Sequence, residues 1–285
     1  MATLVGTSGW QYRDWRGEFY PKGVPTRLWL EYYSSRFPTV EINNAFYRLP
    51  DRSTFTSWRD RTPPHFVISV KASRYLTHIR RLQAPAEPVA RLVGRIEALE
   101  DKLGPVLLQL PPTLALDLAA LRATLRCFPR EVRVAVEFRH PSWFVTDTEQ
   151  MLAEHGAALC LADGPKWHQP LWRTVEWGYV RLHEGRASPH PCYGEAALRT
   201  WASRIKELYG AGAEVFAYFN NDTGGCAPRN AFTFARLLER TSLLEPSRAP
   251  IARTNTGATE QSQHTSNSSQ RAPFAGVRRG PSAAR

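Results

Sequence analysis

Eight short apolar runs return along the first 220 residues at nearly even spacing: 3–9, 39–43, 66–72, 105–111, 132–139, 157–163, 178–184 and 214–222. The fifth shows their character. Val132, Val134, Val136 and Phe138 alternate with Arg133, Ala135, Glu137 and Arg139. A period of two is the signature of a β-strand, whose successive side chains point to opposite faces. Segments with apolar residues at three- and four-residue steps fall between most of the runs, at 25–37, 88–104, 117–128, 147–156 and 200–212, and another follows the last at 231–240. Gly104, Gly156 and Gly210 or Gly212 stand where a left-handed helix end would suit glycine, and Asp147 stands where a helix cap would. Strand–helix alternation predicts right-handed βαβ units and a parallel sheet. Eight units in about 240 residues predict a closed α/β barrel, the (β/α)8 TIM barrel, as a single domain. A doubly wound open sheet is the competing architecture. The glycine-rich turn it often carries is missing, and Gly224-Gly225 reads as a loop turn.

Residues 1–240 are expected to form the barrel. From 241 to 285 the chain turns to Ser, Thr, Pro, Gln and Arg, a composition expected to stay disordered. This tail carries +4 of the net charge of +11, leaving a basic body of +7 that suits anionic ligands or nucleic acid. No run reaches the length of a membrane span, and the opening MATLVGTSGW lacks the charged and apolar regions of a signal peptide. Cys127, Cys160, Cys192 and Cys226 are widely spaced without a CxxC pair, so neither a disulfide framework nor a zinc site is expected. A reduced, cytoplasmic protein without a membrane partner is the resulting expectation.

Placing the apolar face of each strand against the helices turns the other face inward. Glu41 and Asn43 then point into the barrel on the second strand, and Ser69 and Lys71 on the third. Gln109 does so on the fourth, Glu137 and Arg139 on the fifth, and Tyr179, Arg181 and His183 on the seventh. Tyr218 and Asn220 complete the set on the eighth, with Asn221 and Asp222 just beyond. Polar side chains thus meet late in six strands, at the end where such barrels open. Aromatic residues accompany them: Trp10, Tyr12 and Trp15 after the first strand, Phe46 and Tyr47 after the second, Trp143 after the fifth, then Trp167 and Trp172. Long connections at 164–176 and 184–195 are expected to carry function.

Several of these stretches also resemble a known family. GTSGWQYRDWRGEFYP (6–21), VEINNAFYRLP (40–50), VKASRYLTH (70–78), LQLPP (108–112), VEFRHPSW (136–143), VRLHE (180–184) and YFNNDTGGCAPRNA (218–231) together are similar to the YecE-like family, domain of unknown function 72. The resemblance runs from residue 4 to about 238. It implies a TIM barrel and no established reaction. Members often read RLHG in the seventh strand, whereas Glu184 follows His183 here.

The residue types at the mouth suggest general acid–base catalysis on a small anionic, hydroxyl-bearing substrate. Glu137 or Glu41 would be the base and His183 or His140 the acid. Lys71, Arg139 and Arg181 would bind the anion. Asn43, Asn220 and Asn221 would orient hydroxyls, with Gln109, Trp143, Tyr218 and Asp222 lining the site. His65, His78, His155 and His168 are read as structural, and Ser8 as part of a polar turn. Glu137, Asp163, His183 and Asp222, at the ends of the fifth to eighth runs, are candidate ligands for a divalent metal. Arg139 and Arg181 would crowd a cation there and the spacing matches no metal motif, so no cofactor is expected. The rival readings are a non-catalytic nucleic-acid-binding protein using the basic mouth with Arg278 and Arg279 of the tail, and a bare interaction scaffold.

Overall fold

The computed structural model describes residues 2–163, 169–210 and 212–243. Eight parallel strands form a closed barrel in chain order: β1 (Ala2–Ser8), β2 (Thr39–Ile42), β3 (Val67–Lys71), β4 (Leu103–Gln109), β5 (Val134–Glu137), β6 (Ala158–Ala162), β7 (Gly178–Leu182) and β8 (Glu214–Phe219). Pairing of β1 with β8, Leu4 opposite Phe216, closes the ring. The helices are α1 (Trp29–Ser34), α2 (Asn44–Tyr47), α3 (Arg52–Asp60), α4 (Ala86–Ile96), α5 (Leu118–Arg126), α6 (Thr146–Glu154), α7 (Glu195–Tyr209) and α8 (Cys226–Leu243). The TIM barrel expected from the sequence is the observed fold.

Two buried layers follow from the alternation. Outward residues such as Val40, Ile42, Val136, Val180 and Leu182 pack against the helices in one large core. Inward residues Leu107, Ala135, Ala158, Cys160, Tyr179, Phe216 and Tyr218 fill the barrel itself. Going up the barrel, the filling changes from apolar to polar. The buried Tyr218 hydroxyl bonds Thr39 Oγ1 and Ser69 Oγ, both at 2.7 Å. Above it sit the carboxylates of Glu41 and Glu137, both essentially without solvent contact.

Local expectations fared unevenly. Gly156 and Gly210 do take the left-handed φ of 63° and 64° at their helix ends. Gly104 does not end a helix. It lies inside β4, where a Cβ would come within 2.8 Å of Ser69 Oγ and Val67 Cγ1, so its role is close approach to β3. Asp147 is not a cap, because Val145 occupies that position and Asp147 sits within the first turn of α6. The capping carboxylate is Asp117, which accepts from Ala120 N at 2.9 Å to start α5. Helix α3 has no counterpart in the sequence reading. Only Phe55 and Trp58 of RSTFTSWRD are buried apolar anchors, too few for a visible periodicity.

The expectation of four unpaired thiols is corrected. Cys192, in the connection after β7, is disulfide-bonded to Cys226 at the start of α8, with Cα atoms 5.0 Å apart. Thirty-four residues separate the two in sequence, and only the return of the chain from β7 over the β8–α8 corner brings them together. Cys127 and Cys160 are free thiols. No helix among the described residues is long and apolar enough to cross a membrane. Helix α8 runs past the domain end expected at 240, and the tail from 244, with Arg278 and Arg279, lies outside the described residues.

Gly6 marks the tightest point of the sheet. A Cβ there would stand 2.1 Å from the Thr39 carbonyl oxygen, backbone that cannot move without breaking the β1–β2 pairing. Beside it the buried Tyr33 hydroxyl accepts from Thr7 N at 2.9 Å and donates to Thr39 O at 3.0 Å, joining the two strands. Gly6→Ala is expected to destabilise the barrel by about 2 kcal/mol or more, read as a lower midpoint in urea unfolding.

Candidate active site

Arg181 lies near the C-terminal end of β7, inside the barrel, and is 1% exposed. Its Nη1 donates to Glu137 Oε2 at 2.7 Å and its Nη2 to Glu41 Oε1 at 2.9 Å, tying together β2, β5 and β7. Each carboxylate has further donors. Glu41 accepts from Ser8 Oγ at 2.6 Å and from the Tyr179 hydroxyl at 2.7 Å. Glu137 accepts from Gln109 Nε2 at 3.0 Å and Arg139 Nε at 2.9 Å, with His183 Nε2 at 3.2 Å. Burial alone would raise the pKa of Glu137. Arg181, His183 and Arg139 overcome it and hold the carboxyl well below its ordinary value. Burial likewise opposes the charge on Arg181, and the two glutamates more than offset it.

A second tier stands on this network. Asn220 Nδ2 lies 3.2 Å from His183 Nδ1, which in the neutral imidazole places the ring hydrogen on Nε2, toward Glu137. Asn43 Nδ2 donates to the Ser8 carbonyl at 3.1 Å, and the Tyr12 hydroxyl donates to the same oxygen at 2.5 Å. Asn220, Asn43 and Tyr12 border a cleft of about 420 Å³ at the barrel mouth. Its walls are Gly9, Trp10, Gln11 and Tyr12 after β1, Ile42, Asn43, Asn44, Phe46 and Tyr47 at and after β2, Lys71 on β3, and Asn220 and Asp222 after β8.

Two groups in this cleft titrate near neutrality. Lys71 is 8% exposed, and its ammonium lies 4.1 Å from the centre of the Phe46 ring. Burial, then the charge of Arg181, pulls its pKa down to about 8. Among the described residues no carboxylate lies within 4.0 Å of its nitrogen. Asp222 moves the other way. Burial first, then the charges of Asp14 and Glu41, raises its pKa to about 7, against opposing effects of Tyr12 and Arg181. Two buried acceptor atoms of the cleft residues, Asn43 Oδ1 and Asp222 Oδ1, have no donor among the described residues.

Not every expected residue reaches the mouth. Glu41, Gln109, Glu137 and Arg181 lie beneath it, in the buried network. Arg139 and His183 stand at the network's upper edge, and Asn43, Lys71, Asn220 and Asp222 line the cleft. Trp143 is fully buried, stacked on Phe138 at 4.7 Å with its Nε1 donating to Leu114 O at 2.8 Å, so it packs under a loop. Trp15 is equally buried, its Nε1 bonded to the Asp222 carbonyl at 2.8 Å. His140 accepts from Ser142 N at 3.3 Å and caps the short turn Pro141–Trp143. Tyr218 belongs to the barrel interior one layer below the glutamates. Asn221 points away, donating to Pro191 O and Asn230 Oδ1 and so fixing the connection after β7. The four candidate metal ligands are divided. Asp163 receives His183 N and the Tyr193 hydroxyl, Glu137 is filled by its donors, and among the described residues no three acidic, His or Cys side chains are arranged to share an ion. Trp167 and His168 lie outside the described residues.

Sequence reasoning overlooked Gln11 and Asn44 and named Tyr12 and Phe46 only as accompanying aromatics; His78, read as structural, meets the Phe46 ring edge-on at 5.0 Å. Burial, with Lys71 and Arg139 nearby, lowers the pKa of His78 to about 4. All but His78 follow strands β1 and β2 directly, where the alternation rule no longer tells which way a side chain points.

A family model described as a protein of unknown function, DUF72, matches residues 4–253. The chain belongs to the DUF72 family. The UPF0759 protein YunF of Bacillus subtilis (strain 168) is 25% identical over 268 residues, covering 82% of this chain and 94% of YunF. Among solved structures, a DUF72 protein of Thermotoga maritima MSB8 superposes with a TM-score of 0.76 at 30% identity, over 84% of this chain and all of that one. A DUF72 protein of Enterococcus faecalis V583 gives 0.71 at 20% identity, over 83% and 95%. In this DUF72 barrel the family match runs through all the strands that build the buried network and the cleft.

Two outcomes follow from the electrostatics. Arg181→Met leaves two carboxylates buried without their shared counter-charge, and a loss of about 3–5 kcal/mol is expected in denaturant titration. Asp222 binds its proton more tightly folded than unfolded, so its contribution to stability is complete below about pH 4 and is lost as pH rises through about 7. Asp222→Asn is therefore expected to flatten the decline in stability across that window, measured by urea unfolding at its two ends.

Proposed function

We propose that the mouth cleft is the active site of an enzyme acting by general acid–base chemistry on a small anionic substrate that carries hydroxyl groups. The observation that carries this reading is the pairing of opposites in one cleft. A nearly buried lysine lacks a carboxylate partner, while two buried oxygens, on Asn43 and Asp222, lack donors. A phosphate or carboxylate on the substrate complements the first, and its hydroxyl groups complement the second. Arg139, half-exposed above Glu137, adds a second cation.

In this reading the roles differ from those drawn from sequence. Glu41 and Glu137 have their oxygens filled by fixed donors, so they hold Arg181 and His183 in place and do not move protons. Asp222, with a pKa of about 7, and Lys71, with one of about 8, are the groups whose protons exchange near neutral pH. Asn220 orients His183 and faces the substrate. Trp10 and Phe46 supply apolar walls against a sugar-like ring.

The test is thermal unfolding of the full chain with phosphorylated and carboxylated hydroxy compounds. A specific ligand at 100 times its Kd is expected to stabilise the protein by about 2.7 kcal/mol. Lys71→Met and Asp222→Asn are each expected to remove that gain. Stabilisation by single-stranded oligonucleotides alone would replace this reading with nucleic-acid binding.

A further inference from the structure

We propose that Lys71 is a nucleophile: its amine attacks the carbonyl carbon of the substrate and forms a covalent imine. This narrows the substrate to an aldehyde or ketone, and it rests on the reading of the mouth cleft as a substrate site.

The sequence gives the first reason. Of 37 basic residues only five are lysines, at 22, 71, 102, 166 and 206. A chain that meets nearly every need for positive charge with arginine keeps a lysine at the end of β3, inside the cleft. Arginine supplies charge and forked hydrogen bonds but no nucleophilic amine at neutral pH, whereas a desolvated lysine does. The contrast with Lys102 is instructive. That ammonium donates to the carbonyls of Arg59 and Thr62 and to the Thr62 hydroxyl, an ordinary structural use. Lys71 has no such acceptors within hydrogen-bond reach among the described residues, and its ammonium lies over the ring of Phe46.

Its surroundings favour the free amine. Arg181 and Arg139 repel the proton, with the His78 ring alongside Phe46. Glu41 and Glu137 attract it, though each is already engaged by Arg181. The outcome, a pKa of about 8, leaves a substantial neutral fraction at physiological pH. A lysine lowered by burial beside other cations is an established route to imine chemistry in proteins.

The step balances without any other reactant. The nitrogen lone pair forms a C–N bond as the carbonyl π pair moves to oxygen, which takes a proton. The nitrogen then gives up a proton, a second protonation turns the hydroxyl into a leaving water, and C=N forms as C–O breaks. Amine and carbonyl become imine and water. Asp222, which lines the same cleft, is the acid that would deliver the proton that releases water. Protonated, the imine withdraws electrons from the adjoining carbon, which is how it would serve proton removal or bond cleavage there.

The full chain would be treated with pyridoxal 5′-phosphate and, separately, with glyceraldehyde. Each reaction would be quenched with borohydride and each lysine quantified by peptide mass mapping. At neutral pH Lys71 is expected to label about tenfold or more faster than the exposed Lys22, with the rate levelling off above about pH 8. Lys71→Arg is expected to abolish that adduct and leave Lys22 labelling unchanged. Labelling of Lys71 no faster than Lys22 with both aldehydes overturns the proposal. If small anions still stabilise the protein in that case, the acid–base reading stands and Lys71 is only an anion anchor. If they do not, both readings fall. The wild-type comparison decides the matter even if the variant folds poorly.

Discussion

The Arg181 guanidinium, held between Glu41 and Glu137 with no access to solvent, is the interaction on which the rest of the structure depends. One cation and two carboxylates leave a net negative charge inside a low-dielectric barrel. Such a group is tolerable only where every remaining lone pair finds a donor. Ser8, Tyr179, Gln109, Arg139 and His183 provide those donors, and they come from β1, β7, β4, the end of β5 and the end of β7. Five of the eight strands, β1, β2, β4, β5 and β7, are therefore registered against each other at their upper ends by one network. Apolar packing could fill the same space more cheaply. What the ionic version adds is a rigid floor with fixed charge beneath an open cleft.

Burial, with smaller contributions from the charges of that floor, sets the unusual protonation behaviour above it. The positive end of the network, Arg181 and Arg139, faces Lys71 and weakens its hold on a proton. On Asp222 the loss of water around the carboxyl acts in the opposite sense, helped by Asp14 and Glu41 and opposed by Tyr12 and Arg181. An acid and a base with values moved toward each other thus share one cleft, although neither touches the other's partner. In the proposed reading this pair supplies the acid and the base near neutral pH, through burial and neighbouring charge.

The loops fix the cleft walls by different devices. After β1, the Tyr12 and Asn43 side chains converge on a single carbonyl, that of Ser8, and so hold the turn against β2. After β7, the chain is held by the Cys192–Cys226 disulfide and by Asn230, whose amide nitrogen and oxygen bond the backbone oxygen and nitrogen of Tyr193. After β6, Gln169 bonds Ala162 N and Cys160 O, extending the edge of that strand with a side chain. The two long connections singled out in the sequence thus carry structural contacts, and the cleft is built chiefly from the connections after β1, β2 and β8.

The sequence by itself determined the barrel and the inward direction of Glu41, Lys71, Gln109, Glu137, Arg139, Arg181 and Tyr218, because a strand has a period of two and one apolar face settles the other. It also placed these residues at the mouth end, because the polar positions fall late in each run. Beyond the strands that rule lapses. Trp143 and Trp15 look like mouth residues in sequence and are core, while Tyr12 and Phe46 line the cleft. The pairing of Cys192 with Cys226 depends on a return of the chain that no local pattern encodes. Depth, finally, belongs to the tertiary structure alone. Glu137 and Asp222 are both carboxylates near strand ends, yet one is held ionised by Arg181, Arg139 and its other donors, and the other is partly buried with no cation in hydrogen-bond reach among the described residues. Only the assembled barrel sets those distances, and the distances decide which of them can carry a proton.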